Sequence, residues 1–278
     1  MALDAIREKE LRETAKQMRI DIVKMLHNVK TGHPGGSLSA VEILTVLYHN
    51  QMNVNCREPG CSDRDRFVAS KGHCAPVLYT TLADKGYFSK DELKKLRQLN
   101  CMLQGHPDMK KTPGIDISTG SLGMGLSVGI GMCLAARLNK QDFYSFVLLG
   151  DGELQEGQIW EAAMAAVKFK LDHLIAIIDY NGVQLDGTVE EIMPLGDIGK
   201  KFMAFGWHVL TVDGHDINSL DAAIDLAKAT KGLPTVIVAH TVKGKGVSFM
   251  EGKNSWHGKA IEDNEFAVAM AELGGDKQ

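Results

Sequence analysis

Residues 144–181 read YSFVLLGDGELQEGQIWEAAMAAVKFKLDHLIAIIDYN. An apolar run over 144–149 delivers Gly150-Asp151-Gly152 at its carboxyl end. A second apolar run, 174–179, delivers Asn181 in the same way, and a helix that starts acidic lies between the two. Near-continuous apolar strands alternating with helices argue for a parallel sheet covered on both faces. In such sheets ligands bind beyond the carboxyl ends of the strands. One Asp and one Asn at two such ends can share a hard cation, and Mg²⁺ is usually held by one or two protein oxygens plus substrate phosphates. Gly152 has no side chain to keep the backbone away from a phosphate. The stretch therefore reads as a Mg²⁺-diphosphate site. A GDG triplet alone is usually a plain turn between strand and helix; the Asn spacing and the strand context decide here.

The same alternation continues outward. Strands are expected at 144–149, 174–179, 208–212 and 235–239, with helices at 158–170, 195–205 and 218–229. Upstream, Met18, Ile22, Met25 and Leu26 fall at helical spacing within 11–28, and Thr31-Gly32-His33-Pro34-Gly35-Gly36 breaks that helix. A second helix is expected at 40–49, a short strand at 66–70, and helices at 75–85 and 90–99. The last carries Ser89 as N-cap with Glu92 three residues on, a capping box. No repeat or Pro-rich linker interrupts the chain, which reads as one α/β domain with a loose tail at 274–278.

Bulk properties exclude several classes. The 278 residues are 44% hydrophobic and 24% charged, with a net charge of −4, which gives no reason to expect nucleic acid or an anionic membrane as partner. The five cysteines form no CxxC pair and read as free thiols in a reducing cytoplasm. The charged N-terminus lacks the apolar core of a secretory signal. Residues 117–136 are uncharged and long enough to span a bilayer, but five glycines make them a buried turn leading into a core helix. Gly123-x-Gly125-x-x-x-Gly129 misses the dinucleotide fingerprint by one residue, and no phosphate-binding G-x-x-x-x-G-K-[ST] loop exists.

Four histidines sit beside glycine or in breaker-rich segments: His33, His73, His106 and His257. A lone loop histidine usually makes only a local hydrogen bond. Four in similar settings suggest one convergent site, and histidine exchanges protons with hydroxyls near neutral pH. The other six histidines lie in helices, strands or ordinary turns. Glu153 reads as a helix-dipole complement, and Lys243-Gly244-Lys245-Gly246 as either a solvated loop or a point charge on a diphosphate.

These motifs resemble the transketolase family over nearly the whole chain, about residues 14–257. Gly150-Asp151-Gly152-Glu153-Leu154-Gln155-Glu156-Gly157 with Asn181 is similar to that family's thiamine diphosphate motif. Thr31-Gly32-His33-Pro34-Gly35-Gly36, Ser70-Lys71-Gly72-His73 and Gln104-Gly105-His106-Pro107 resemble its histidine motifs. Gly120-Ser121-Leu122-Gly123 looks like its cofactor-ring turn, and Lys243 with Ser255-Trp256-His257-Gly258 is similar to the animal-type version. The resemblance implies Mg²⁺ on Asp151, Asn181 and the Val183 carbonyl. It implies thiamine diphosphate against Gly36, His73, Gly120, Ser121, Leu122, Gly152, Asn181, Lys243 and His257. His33, His106 and His257 would meet substrate hydroxyls, and Glu156 and Glu161 would join a carboxylate network between active sites. Position 36 is glycine where some members carry a hydroxyl, and position 121 is serine where many carry proline.

In that family the glutamate that activates the cofactor lies in a second, pyrimidine-binding domain, and this sequence stops at Gln278. The resemblance thus implies the N-terminal subunit of a split transketolase. Such a subunit would need a C-terminal partner chain and self-association, as in a heterotetramer, to move a two-carbon ketol unit between sugar phosphates through a thiamine diphosphate carbanion. The alternatives are a subunit of another split thiamine diphosphate enzyme acting on a specialised sugar or a 2-oxo acid, a deoxyxylulose-phosphate synthase relative, or a non-catalytic regulatory subunit. The histidine set argues against a 2-oxo acid dehydrogenase subunit. Length and Ser-Trp-His-Gly disfavour the synthase.

Overall fold

The computed structural model describes residues 3–275. Five strands, β1 (Arg66–Ala69), β2 (Ser145–Gly150), β3 (Leu174–Tyr180), β4 (His208–Asp213) and β5 (Thr235–His240), form one parallel sheet in the order β1-β2-β3-β5-β4. Side chains alternate between its faces as the pleat demands. Phe67, Phe146, Leu148, Ile175, Ile177 and Ile237 enter one core, whereas Val68, Val147, Leu149, Ala176, Ile178 and Val236 enter the other.

The first core is closed by α1 (Ala5–Val29), α2 (Pro34–Leu38), α3 (Val41–Val46) and α4 (Ala75–Asp84), and by two later helices described below. The second is closed by α5 (Met124–Asn139), α6 (Gly157–Lys168), the short α7 (Val189–Ile192) and α8 (Ile198–Ala204). Parallel crossovers are right-handed. The chain runs β1 to β2 to β3 in one direction, with α5 and α6 on one face. The β4-to-β5 step runs back, so its helix α9 (Ile217–Ala229) falls on the first face. That face is completed by α10 (Asp263–Leu273).

The glycine-rich 117–136 stretch forms a turn and α5, and among the described residues no helix is long and apolar enough to cross a membrane. A Cβ on Gly129 would stand 2.5 Å from Val147 Cγ2, and one on Gly125 2.5 Å from Ser70 Cβ. Both glycines therefore allow α5 to lie directly on the sheet. All five cysteines are free.

Several expectations need correcting. The helix expected at 40–49 is α3 followed by a π-helical turn, Leu47–Gln51. The helix expected at 90–99 is a 3₁₀ segment, Lys90–Lys95, and the Ser89 hydroxyl accepts from the Asp91 N–H at 3.2 Å rather than forming the Glu92 capping box. Its buried residue is Leu93, and Leu96, also buried, follows it with a ψ of 131° that stops the helix. Arg97 and Asn100 beyond it take left-handed backbone conformations. The sequence pattern places a loose tail from 274, yet Gly274 caps α10 with φ 65° and the Gly275 N–H donates to the Met270 carbonyl at 2.9 Å. Residues 276–278 lie outside the described residues.

Candidate active site

Every strand end near the middle of the sheet delivers a polar group to one cleft of about 270 Å³. Asp151 follows β2. Its carboxylate accepts from the Gly152 N–H at 2.7 Å and the Gly182 N–H at 2.5 Å, tying the two turns together. Burial, with Asp179 nearby, pushes its pKa up to about 6, so the site favours a bound cation. Asn181 follows β3. Its amide nitrogen donates to Asp179 at 3.2 Å and its oxygen accepts from the Val183 N–H at 3.1 Å. A carboxylate can only accept and an N–H can only donate, so this orientation is unambiguous. The Val183 carbonyl already accepts from the Lys243 ammonium at 2.8 Å, which shows that it faces a cation. Carboxylate, amide oxygen and carbonyl form an all-oxygen set that suits Mg²⁺ with a diphosphate completing the shell. Among the described residues no cluster of three His, Cys, Asp or Glu side chains stands ready to hold a metal instead.

Beneath these groups lies a buried ion pair that sequence reading does not single out. Lys71 is 1% exposed and Asp179 0%. The Lys71 ammonium donates to Asp179 and to the Gly36 carbonyl, the latter at 2.9 Å. Ser39 donates to the same carboxylate at 2.6 Å, and Thr241 donates to its other oxygen. Burial alone would raise the Asp179 pKa, but Lys71 and the hydroxyl donors outweigh it and the net shift is downward. Lys71 shifts upward for the reciprocal reason, Asp179 outweighing burial. The pair thus joins α2, the turn after β1, and the ends of β3 and β5.

Glu153 is not a helix-dipole complement. It is 2% exposed and accepts from the Gly150 N–H at 3.0 Å, the Gly123 N–H at 2.9 Å and the Ser70 hydroxyl. It fastens the Gly120–Gly123 turn to the GDG turn. Gln155 and Gln184, also unforeseen, line the cleft and bond each other at 2.8 Å.

The four selected histidines do converge. Ring centroids are 5.5 Å apart for His33 and His73, 4.8 Å for His73 and His257, 5.6 Å for His33 and His257, and 6.3 Å for His33 and His106. Burial, then the charges of Arg97, His106 and Lys243, lowers His33 to about 4. Burial and Lys243 lower His257 to about 3. Burial and Lys71 hold His73 well below its ordinary value, and burial and Arg97 lower His106. Neutral imidazoles each offer one donor and one acceptor, the complement of sugar hydroxyls. His33 Nδ1 is buried with no partner among the described residues. Lys243 sits 3.0 Å from His257 Nδ1, and its own pKa is lowered to about 8 by burial and then Lys71.

Gly36, His73, Leu122, Gly152, Asn181, Val183, Lys243 and His257 line the cleft, as does the exposed Glu156. A Cβ on Gly36 would make only ordinary contact with His73 Nε2, at 3.4 Å, so the missing hydroxyl leaves room there. Gly120 packs on the His106 ring, where a Cβ would stand 3.1 Å from Cδ2, and Ser121 beside it is exposed. Glu161 lies on the exposed face of α6, outside the cleft. None of the other six histidines lines it.

Residues 9–278 match the family described as the transketolase, thiamine diphosphate binding domain. The chain belongs to the transketolase family. It is 44% identical over 264 residues to the 6-deoxy-6-sulfo-D-fructose transketolase subunit SqwG of Clostridium sp. (strain MSTE9), covering 95% of this chain and 96% of that one. It is 42% identical to an apulose-4-phosphate transketolase subunit of Phocaeicola vulgatus, covering 93% and 92%. Human transketolase is 39% identical, and there the match covers 95% of this chain but 42% of the human one. The transketolase structure from Leishmania mexicana superposes with a TM-score of 0.91 at 34% identity, covering 96% of this chain and 42% of that chain. The domain thus spans about two fifths of full-length transketolases and nearly all of the two subunits.

This geometry is open to test by stability measurements. Lys71→Met leaves Asp179 charged and buried, so it should destabilise the domain by about 3–5 kcal/mol in denaturant unfolding; a loss under about 1 kcal/mol, typical of surface pairs, would contradict the assignment. The histidines make stability pH-dependent. His33 and His257 stay neutral in the fold down to about 4 and 3, whereas unfolded histidine takes a proton below its ordinary 6.5. The unfolded state therefore binds more protons in that window, and the histidine contribution is present above 6.5 and lost as pH falls toward 4. Asp151, raised to about 6, works in the opposite direction. The difference between wild type and His33→Asn isolates the histidine effect. The variant's Tm should fall less than wild type's between pH 6.5 and 4; equal slopes would refute the reading.

Proposed function

We propose that this chain is the N-terminal, thiamine diphosphate-binding subunit of a two-chain transketolase, its residues forming a single domain. It would transfer a two-carbon ketol unit from a ketose phosphate to an aldose phosphate. The observation that carries this reading is the meeting of two sets of groups in one cleft: the oxygen donors Asp151, Asn181 and Val183, and the neutral His73 and His257, with His33 packed beside both rings. The subunit names of relatives of the same length support a split enzyme. A C-terminal partner would bring the pyrimidine-binding domain, and self-association would give a heterotetramer. Free thiols and the absence of a membrane-length helix among the described residues suit a cytoplasmic enzyme.

Asp151, Asn181 and the Val183 carbonyl would hold Mg²⁺, and Lys243 would turn its ammonium to the diphosphate. Gly152 and Gly36 keep side chains out of the cofactor's path. Bound thiamine diphosphate supplies the carbon nucleophile and electron sink needed to cleave the ketose C2–C3 bond. Proton handling falls to this chain. With Lys243 turned to the diphosphate, His257 Nδ1 gives up its 3.0 Å partner, and the neutral ring could donate to or accept from a sugar oxygen. His33, also neutral, has its ring centroid 5.6 Å from that of His257, and either ring could accept the proton of the donor C3 hydroxyl. His106 binds a further hydroxyl. Glu156 lies at the cleft edge, where it can meet a second chain; Glu161 would do so only from the outer face of α6.

The test is a coupled ketol-transfer assay with thiamine diphosphate, Mg²⁺, xylulose 5-phosphate and ribose 5-phosphate. It is run on this chain alone and mixed with its C-terminal partner. Transfer should occur only in the mixture and should be lost in Asp151→Ala, which should also lose Mg²⁺-dependent cofactor binding. Transfer by the chain alone, or full activity of Asp151→Ala, would overturn the proposal.

A further inference from the structure

Arg97 is an exposed residue beside the segments that carry His33 and His106, and it takes no part in holding the cation, the diphosphate or the transferred proton. Its backbone is left-handed, with φ 61°, a conformation uncommon for a non-glycine residue. Such an outlier is a reason to ask what the residue does. The Arg97 N–H donates to the Leu103 carbonyl at 2.9 Å, which folds residues 97–103 into a loop and brings the side chain back over the next segment. There the guanidinium packs directly on Gly105. A Cβ at that position would stand 3.0 Å from Nε and 3.2 Å from Cζ and Nη2. Arg97 Nη1 donates to Thr31 Oγ1 at 2.9 Å. The guanidinium therefore bridges the residue two before His33 and the residue just before His106.

This placement is held from below. Buried Tyr79 donates its hydroxyl to the carbonyls of Gln104 and His106, at 2.9 and 3.0 Å, fixing the His106 loop. After burial, the Arg97 charge is the largest influence on both His33 and His106. Other arginines near the cleft's supporting structure are committed: Arg19 pairs with Glu42 and Arg64 with Asp116. Among the described residues Arg97 makes no ion pair, and Thr31 takes one of its five N–H donors. A guanidinium with free donors matches a tetrahedral oxyanion by charge and by fork geometry.

We propose that Arg97 is a specificity-determining residue that binds the terminal acidic group, phosphate or sulfonate, of the sugar substrate from this subunit's side of the cleft. The assignment rests on the proposed ketol transfer. It makes this chain, and not only its partner, a reader of the anionic end of the sugar. Gly105 and Thr31 are positioning residues for it, since they set where the guanidinium lies.

The experiment uses the assembled two-chain enzyme with wild type, Arg97→Ala and Arg97→Lys. Xylulose 5-phosphate is the donor, and ribose 5-phosphate is compared with unphosphorylated ribose as acceptor. In Arg97→Ala, KM for at least one phosphorylated sugar should rise about tenfold, the effect of one charged contact, with kcat within about twofold and KM for ribose unchanged. Arg97→Lys should recover part of the loss, and added salt should weaken sugar-phosphate binding in wild type more than in Arg97→Ala. Equal KM changes for ribose and ribose 5-phosphate, or a shifted pH profile with no change in phosphate preference, would show that Arg97 acts on the histidines instead and overturn the assignment. Unchanged KM values throughout would also overturn it. A wild-type complex with no ketol transfer would overturn the proposed function, and this assignment with it.

Discussion

The buried pair of Lys71 and Asp179 is the constraint on which the site depends. Two opposite charges with almost no exposure hold α2, the turn after β1 and the ends of β3 and β5 at one point. Burying such a pair is weak evidence for stability in itself, because desolvation offsets much of the attraction. Its value here is geometric. Asp179 accepts from the Asn181 amide, so the Asn181 oxygen is the end left to a ligand. Lys71 also donates to the Gly36 carbonyl, which fixes the helix carrying that glycine relative to the strand ends. Asp151, raised in pKa, and Asp179, lowered, sit in the same buried region yet serve different purposes. One is already neutralised by a permanent internal cation. Asp151 is the one proposed to take an exchangeable cation.

The histidines follow from the same arrangement. Burial, reinforced by the positive charge of Lys71 near His73 and of Lys243 near His257, keeps these imidazoles neutral. Neutral rings can both donate to and accept from a polyol, whereas protonated ones can only donate. The cleft therefore combines charged groups, Asp151 and Lys243, with the neutral imidazoles of His73 and His257.

Much of this is legible in the sequence, for reasons that can be stated residue by residue. The strand expected at 174–179 is Leu174–Tyr180, because a strand buried on both faces must be apolar throughout. Asp151 and Asn181 can be placed because each closely follows such a run. The Lys71–Asp179 pair cannot, since its members lie 108 residues apart and only the folded sheet brings them together. Glu153 resembles any acidic residue at a helix start until Gly123 and Ser70 fold onto it. The helix α10 escapes because Glu262, an unusual N-cap, begins it through a reciprocal bond with Glu265. The 90–99 segment reads as an α-helix because Ser89 and Glu92 stand at capping-box spacing, whereas the Ser89 hydroxyl accepts from the Asp91 N–H and the turn is 3₁₀.

The most direct test is a crystal structure of the two-chain complex with thiamine diphosphate and Mg²⁺. Mg²⁺ should lie about 2.0–2.1 Å from an Asp151 carboxylate oxygen, Asn181 Oδ1 and the Val183 carbonyl. The Lys71–Asp179 contact should be intact and Lys243 should have moved to the diphosphate. A metal bound elsewhere, or Asn181 presenting its amide nitrogen to the diphosphate, would contradict this arrangement.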